Sequence, residues 1–205
     1  VKVEILTSEH PDWESTTATI ALVYRRAYGA RLNLFMPYLL KVSGREGAFR
    51  AIVGLRDAQE EKLFLETYLD EPIEQAIARV SGEPVARGEI VEIGNLAESK
   101  PGDARLGIIA TTRYLHKLGY RWVVFTAVPQ LLNAFRRLGM EPMEILEADP
   151  TRLPQAQRDI WGSYYDEHPK VCCGSIARGH ESLIDFLNTW IGAEAAAEAE
   201  LKKRS

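Results

Sequence analysis

Apolar positions along the chain change period repeatedly, and each change marks a predicted element. In VKVEILT they alternate with polar residues, as in a strand with one buried face. Over residues 13–30, Ile20, Val23, Tyr24 and Ala27 recur at helical spacing, which predicts an amphipathic helix capped by Asp12 and stopped at Gly29. FMPYLLKVSGREGAFRAIVGLRDA reads as two β-rich runs around a Gly-bearing hairpin loop. KLFLETYLDEPIEQAIARVSG begins apolar and β-capable, while Pro72 followed by Ile73, Ile77 and Val80 favours a short helix.

IVEIGNLA predicts a strand ending near Leu96. Residues 103–118 then predict a helix with Ile108, Thr111, Leu115 and Leu118 on one face and Gly119 after it. RWVVFTAV is nearly all apolar, as a strand covered on both faces should be, and PQLLNAFRRLG is a short helix entered at Pro129. MEPMEILEAD supplies another strand, and a loop-like stretch with a short helix around 155–165 follows. VCCGSIARG reads as a last strand and HESLIDFLNTWIG as a last helix with Leu183, Phe186, Leu187 and Trp190 inward. The order describes an α/β class chain, an α+β mixed sheet flanked by helices on both faces, without a G-x-G-x-x-G turn. One domain is expected over 1–192, followed by an Ala/Glu-rich tail at 193–205, frayed or disordered.

Composition narrows the function classes. With 46% hydrophobic and 26% charged residues in 205, the chain fits an ordinary globular domain. A formal charge of −4 argues against a nucleic-acid partner, because phosphate recognition leans on a basic field. No apolar run reaches the roughly 18 residues of a spanning helix, and the charged start lacks a signal-peptide pattern, so a cytoplasmic protein without a membrane partner is expected. Cys172 and Cys173 are adjacent and point to opposite strand faces, which argues against a disulfide. The four histidines show no ligand spacing, so no metal is expected.

Candidate chemistry gathers in IVEIGNLAESKPGDARLG. A strand that turns through Gly102 and small Ala104 into a helix offers backbone N–H groups that the first helical turn leaves unpaired, and these attract phosphate. The same residues also make an ordinary loop in which Asp103 caps the helix. Glu92, in a mostly apolar strand, is a candidate base with a raised pKa or an anchor for a cationic substrate; a salt bridge to an arginine is the competing reading. Asn95 and Leu96 end the strand, where a free amide can polarise a thioester carbonyl, or Asn95 simply closes a turn. Arg31 and Arg56 are possible carboxylate or phosphate ligands, although surface arginine is the commoner role. Aromatics such as Tyr38 and Phe64 have the spacing of core or rim.

Taken together, IVEIGNLA, SKPGDARLG, WVVFTA and LLNAFRRLGMEP resemble the second half of the GNAT acyltransferase fold. FMPYLL, LFLETYLDEPIEQAI, IVEIGNLA, WVVFTA, NAFRRLGMEP and WGSYY resemble the thermostable hemolysin family over nearly the whole chain apart from the tail. The resemblance, which extends to the acyl-homoserine-lactone synthases, implies an N-acyltransferase that uses an acyl thioester, on coenzyme A or on acyl carrier protein, and a small amine such as an amino acid. It implies a donor site at Leu96, Ser99, Gly102, Asp103, Ala104, Arg105, Leu106 and Gly107, with Asn133, Phe135 and Arg136 on the later helix. Glu92, Asn95 and Leu96 then carry the chemistry, and Arg31, Tyr38, Arg56, Phe64 and Thr126 face the substrate. Ser99 stands where the superfamily's turn has Gln or Arg, which weakens the inference of coenzyme A pyrophosphate binding and leaves a carrier-protein thioester compatible. Phe135 stands where many acetyltransferases have a thiol-protonating Tyr. A membrane-active hemolysin and a non-catalytic thioester-binding protein of the same fold are the alternative readings.

Overall fold

The computed structural model describes residues 2–44 and 47–185. Strands β1 (Lys2–Leu6), β2 (Tyr38–Ser43), β3 (Phe49–Asp57), β4 (Ile90–Glu98), β5 (Trp122–Ala127), β6 (Met143–Glu147) and β7 (Lys170–Ser175) form a seven-stranded sheet in the order β1-β2-β3-β4-β5-β7-β6. Neighbours are antiparallel except β4 and β5, which run parallel. A parallel pair needs a crossover, and α3 (Ala104–Leu118) supplies it. The other helices are α1 (Trp13–Tyr28), α2 (Ile73–Ser81), α4 (Pro129–Arg136), the single turn α5 (Gln155–Arg158), and α6, which is described over 176–185.

Alternation along the strands decides what covers each face. Leu40, Val42, Val53 and Val91 pack with Leu115 of α3, whereas Leu39, Ile52 and Ala97 pack with Ile20 of α1. Further along, Phe125 and Cys172 meet Leu132 and Phe135 of α4 and Leu183 of α6. Ile90, Trp122, Val124 and Cys173 meet Ile73 and Ile77 of α2 on the opposite side. The adjacent cysteines thus serve two different cores as free thiols, and burial pushes both up to about 12.

Most predicted elements form where the periodicity puts them, and the departures have local causes. The β-capable run at 63–69 is a 3-10 turn (Phe64–Tyr68), because the Glu92 carboxylate takes its first backbone amides. The strand predicted through IARG ends at Ser175, whose hydroxyl accepts the Arg178 N–H (3.4 Å) as α6 begins. Neither Asp12 nor Asp103 caps with its side chain: Asp12 reaches Lys41 (3.3 Å), and Asp103 reaches Arg50. Phe186, Leu187, Trp190 and the 193–205 tail lie outside the described residues.

Candidate active site

Two irregularities in the centre of the sheet create the site. Pairing between β4 and β5 stops at Ile93 and Phe125, although β4 continues to Glu98 and β5 to Ala127, so the parallel pair splays open. Just past that point β4 bulges: Gly94 pairs with Gly54 and Ala97 with Ile52, which sets Asn95 and Leu96 against Val53 alone. Asn95 takes φ 46°, a left-handed conformation that asparagine tolerates, and its side-chain oxygen accepts the Met36 N–H at 2.9 Å. Met36 also packs closely over the strand here: a Cβ on Gly94 would lie 2.6 Å from the Met36 terminal methyl, so a side chain there would push Met36 aside. The bulge is therefore clamped from outside the strand by Met36.

A cavity of about 830 Å³ opens at this splay. Gly94 and Leu96 line one edge of the cleft and Phe125 and Thr126 the other. Towards α3 and α4 it is bounded by Gly102, Ala104 and Arg105 and by Asn133, Ala134 and Phe135. Phe135, which has no hydroxyl to offer, is stacked on Phe125 with ring centroids 4.8 Å apart. Asn133 accepts from Arg136 (3.1 Å), and it is Arg137, not Arg136, that lines the cavity.

The turn entering α3 carries its charge pairs ready made. Arg50 grips Asp103 with Nε at 2.9 Å and Nη2 at 2.6 Å, and the guanidinium holds this buried carboxyl below the usual aspartate range. Ser99 donates its N–H to the Arg50 carbonyl, tying the turn to β3. The Glu98 side chain meanwhile accepts the N–H groups of Gly102 (3.1 Å) and Ala104 (2.9 Å).

Glu92 lies on the other face of β4. It is 3% exposed, its Oε1 accepts the Leu65 N–H and its Oε2 the Phe64 N–H, both at 3.0 Å, and Arg56 stands 3.4 Å from Oε2. Burial pushes its pKa up, against the two amides and Arg56, which pull it down. The carboxylate caps the 3-10 turn and does not line the cavity.

Aromatic residues of α1 and of the segment after α5 form the wall beyond the splay, a feature that helical spacing alone assigns to core or rim. Tyr24, Tyr28 and Tyr164 line the cavity there, and Tyr28 and Tyr164 meet edge to face at 5.2 Å. Burial drives the Tyr24 hydroxyl well above the ordinary tyrosine value, while the Leu96 backbone beside it acts in the opposite direction. Tyr24 thus places its hydroxyl next to the bulge.

A family model for thermostable hemolysin matches residues 6–180. The chain belongs to the thermostable hemolysin family. No curated protein matches it in sequence. Three solved structures share this fold. FeeM, an N-acyl amino acid synthase from uncultured soil microbes, superposes with TM-score 0.56 at 9% identity, covering 89% of this chain and 99% of its own. The acyl-homoserine-lactone synthase LasI gives 0.56 at 12% identity, covering 85% and 89%. BjaI, a coenzyme A-dependent acyl-homoserine-lactone synthase solved with SAM and isopentyl-CoA, gives 0.52 at 13%, covering 91% and 88%. The GNAT-like mixed sheet expected from the sequence is the fold shared with these synthases.

Within this hemolysin-family chain, Leu96, Gly102, Ala104, Arg105, Thr126, Asn133 and Phe135 are brought to one cavity. The remaining sequence candidates fall elsewhere. Asn95 clamps Met36, and Leu106 and Gly107 donate their N–H groups to the Asp103 carbonyl. A Cβ on Gly107 would lie 3.2 Å from Ala51 and Val53, so this glycine serves close packing of α3 on β3. Arg31 is exposed and held by its backbone to Ile160. Tyr38 bonds Glu60 at a separate small depression, and Arg56 is committed to Glu92 and Glu61. The Phe64 ring packs 5.9 Å from Trp161. Among the described residues no His, Cys, Asp or Glu cluster has the arrangement of a metal site, and no helix is long and apolar enough to cross a membrane.

Proposed function

We propose that the protein is an N-acyltransferase that moves an acyl group from a phosphopantetheine thioester to a small amine. The observation that carries this reading is the cavity at the splay of β4 and β5, with the bulged Leu96 at its edge, donor-side groups from α3 and α4 on one side and the tyrosine wall on the other. The arm enters beside Ala104, Asn133 and Ala134, and the thioester carbonyl lies at Leu96. The neutral amine attacks that carbon, the C–N bond forms, the C–S bond breaks, and the amine proton leaves for solvent or for the departing thiolate. The products are one amide and one free thiol.

In this scheme the Tyr24 hydroxyl, with the Leu96 backbone beside it, donates to the oxygen on which charge develops. Glu92 acts as the fastener of the 3-10 turn, not as the base, because its oxygens are taken and it stands outside the cavity. Tyr24→Phe is therefore expected to lower kcat by about 10- to 100-fold with little change in melting temperature; kcat equal to wild type would remove Tyr24 from the oxyanion site. The activity itself is tested by incubating the protein with acyl thioesters of several chain lengths, with and without pooled amino acids. Amine-dependent thiol release supports the proposal, and release from none of the donors in either condition refutes it.

A further inference from the structure

Turns that hold a pyrophosphate do so with backbone N–H groups that have no other partner. Here those groups are already taken. The Gly102 and Ala104 amides point to one oxygen of Glu98, at 3.1 and 2.9 Å. Asp103 N–H goes to the Lys100 carbonyl, Arg105 N–H to Gly102, and Leu106 and Gly107 N–H to Asp103, while Pro101 has none to give. At the first place of the turn Ser99 offers no cation, and nearby Arg50 is locked in a two-bond pair with Asp103. Glu98 also lines the cavity beside Gly102 and Arg105, so its charge stands where a pyrophosphate would arrive.

We infer that Glu98 is a specificity-determining residue: its carboxylate occupies the phosphate cradle of this fold as a built-in anion, so the acyl donor is a phosphopantetheine arm read without the nucleotide pyrophosphate of coenzyme A. The inference rests on the proposed thioester site and adds to it the class of donor. A pyrophosphate would have to displace Glu98 from two amides and then remain beside its negative charge, a double cost that an arm lacking this group avoids. Ser99 alone leaves the cradle weaker; Glu98 fills it.

The test is calorimetric titration of the wild type, Glu98→Gln and Glu98→Ala with two probes, coenzyme A and pantetheine, which lacks the pyrophosphate and nucleotide. Wild type is expected to bind coenzyme A no more tightly than pantetheine. Removing the charge in Glu98→Gln, and the whole group in Glu98→Ala, should raise the preference for coenzyme A over pantetheine on the order of tenfold or more. Glu98 is partly exposed and Gln retains an acceptor oxygen, so the Gln variant gives the answer even where Ala loosens the turn. A wild type that already prefers coenzyme A by tenfold, or variants with an unchanged preference, would overturn the role of Glu98 while leaving the thioester site standing. Binding of neither probe by any of the three proteins would overturn both.

Discussion

Glu92→Ala is expected to destabilise the fold by about 3–5 kcal/mol, because it strips a buried partner from Arg56 and from two backbone amides at once. Leu65 is fully buried and Phe64 partly so, and no water replaces the lost acceptor at Leu65 without opening the 3-10 turn (Phe64–Tyr68). Glu92→Gln keeps one acceptor oxygen of nearly the same shape and should cost about 1–3 kcal/mol. Equilibrium denaturation of both variants, beside kcat corrected for the folded fraction, separates the fastener from a base. A fastener gives a graded stability loss, Ala worse than Gln, with kcat per folded molecule within a few-fold of wild type for Gln. A general base gives a Gln variant as stable as wild type with kcat lowered by about 10²–10⁴.

Gly162→Ala should be comparably damaging through backbone geometry. Gly162 has φ 57°, and an added Cβ would press directly on the Tyr28 carbonyl oxygen, with Gly29 C at 3.0 Å and Ala30 N at 3.1 Å. These are backbone atoms at the end of α1, so no side-chain rotation relieves the contact. The segment is tied there deliberately tightly: Ser163 N–H donates to the Tyr28 carbonyl (2.9 Å) and Arg31 N–H to the Ile160 carbonyl (2.7 Å). A cost of about 3 kcal/mol or more follows from the left-handed conformation and the overlap together. Tyr164, two residues on, forms part of the cavity wall, so turnover should fall with stability. Thermal melts and turnover on the same sample check both; a variant that melts like wild type would mean that this junction yields easily.

Much of the fold was legible because periodicity is a local property. Helices α1, α3 and α4 announce themselves by apolar spacing and by Gly29, Gly119 and Pro129 at their ends, and β5 by its nearly continuous apolar run. Site partners were illegible where they come from distant backbone. The Met36 N–H that fixes Asn95 is 59 residues away, and the amides that occupy Glu92 are 27 and 28 away. A carboxylate in an apolar strand signals that something must satisfy it, but not whether that is a substrate or a turn. Tyr24, Tyr28 and Tyr164 carry ordinary core spacing, and only the splay of β4 from β5 turns their face into a wall. Glu98 precedes the motif-like residues that it serves, so the turn pattern does not point to it.

If acyl transfer happens in the cavity at that splay, filling the cavity should stop it. Ala134 lines it from α4 and is partly exposed, so Ala134→Trp blocks the arm's path without opening the core. Amide and thiol would be counted together by mass and thiol titration for wild type and this variant, each shown by its melt to be folded. Wild type should give one amide per thiol, and Ala134→Trp should lose both by about 100-fold or more. Amide formed at the wild-type rate with the cavity filled would place the reaction elsewhere.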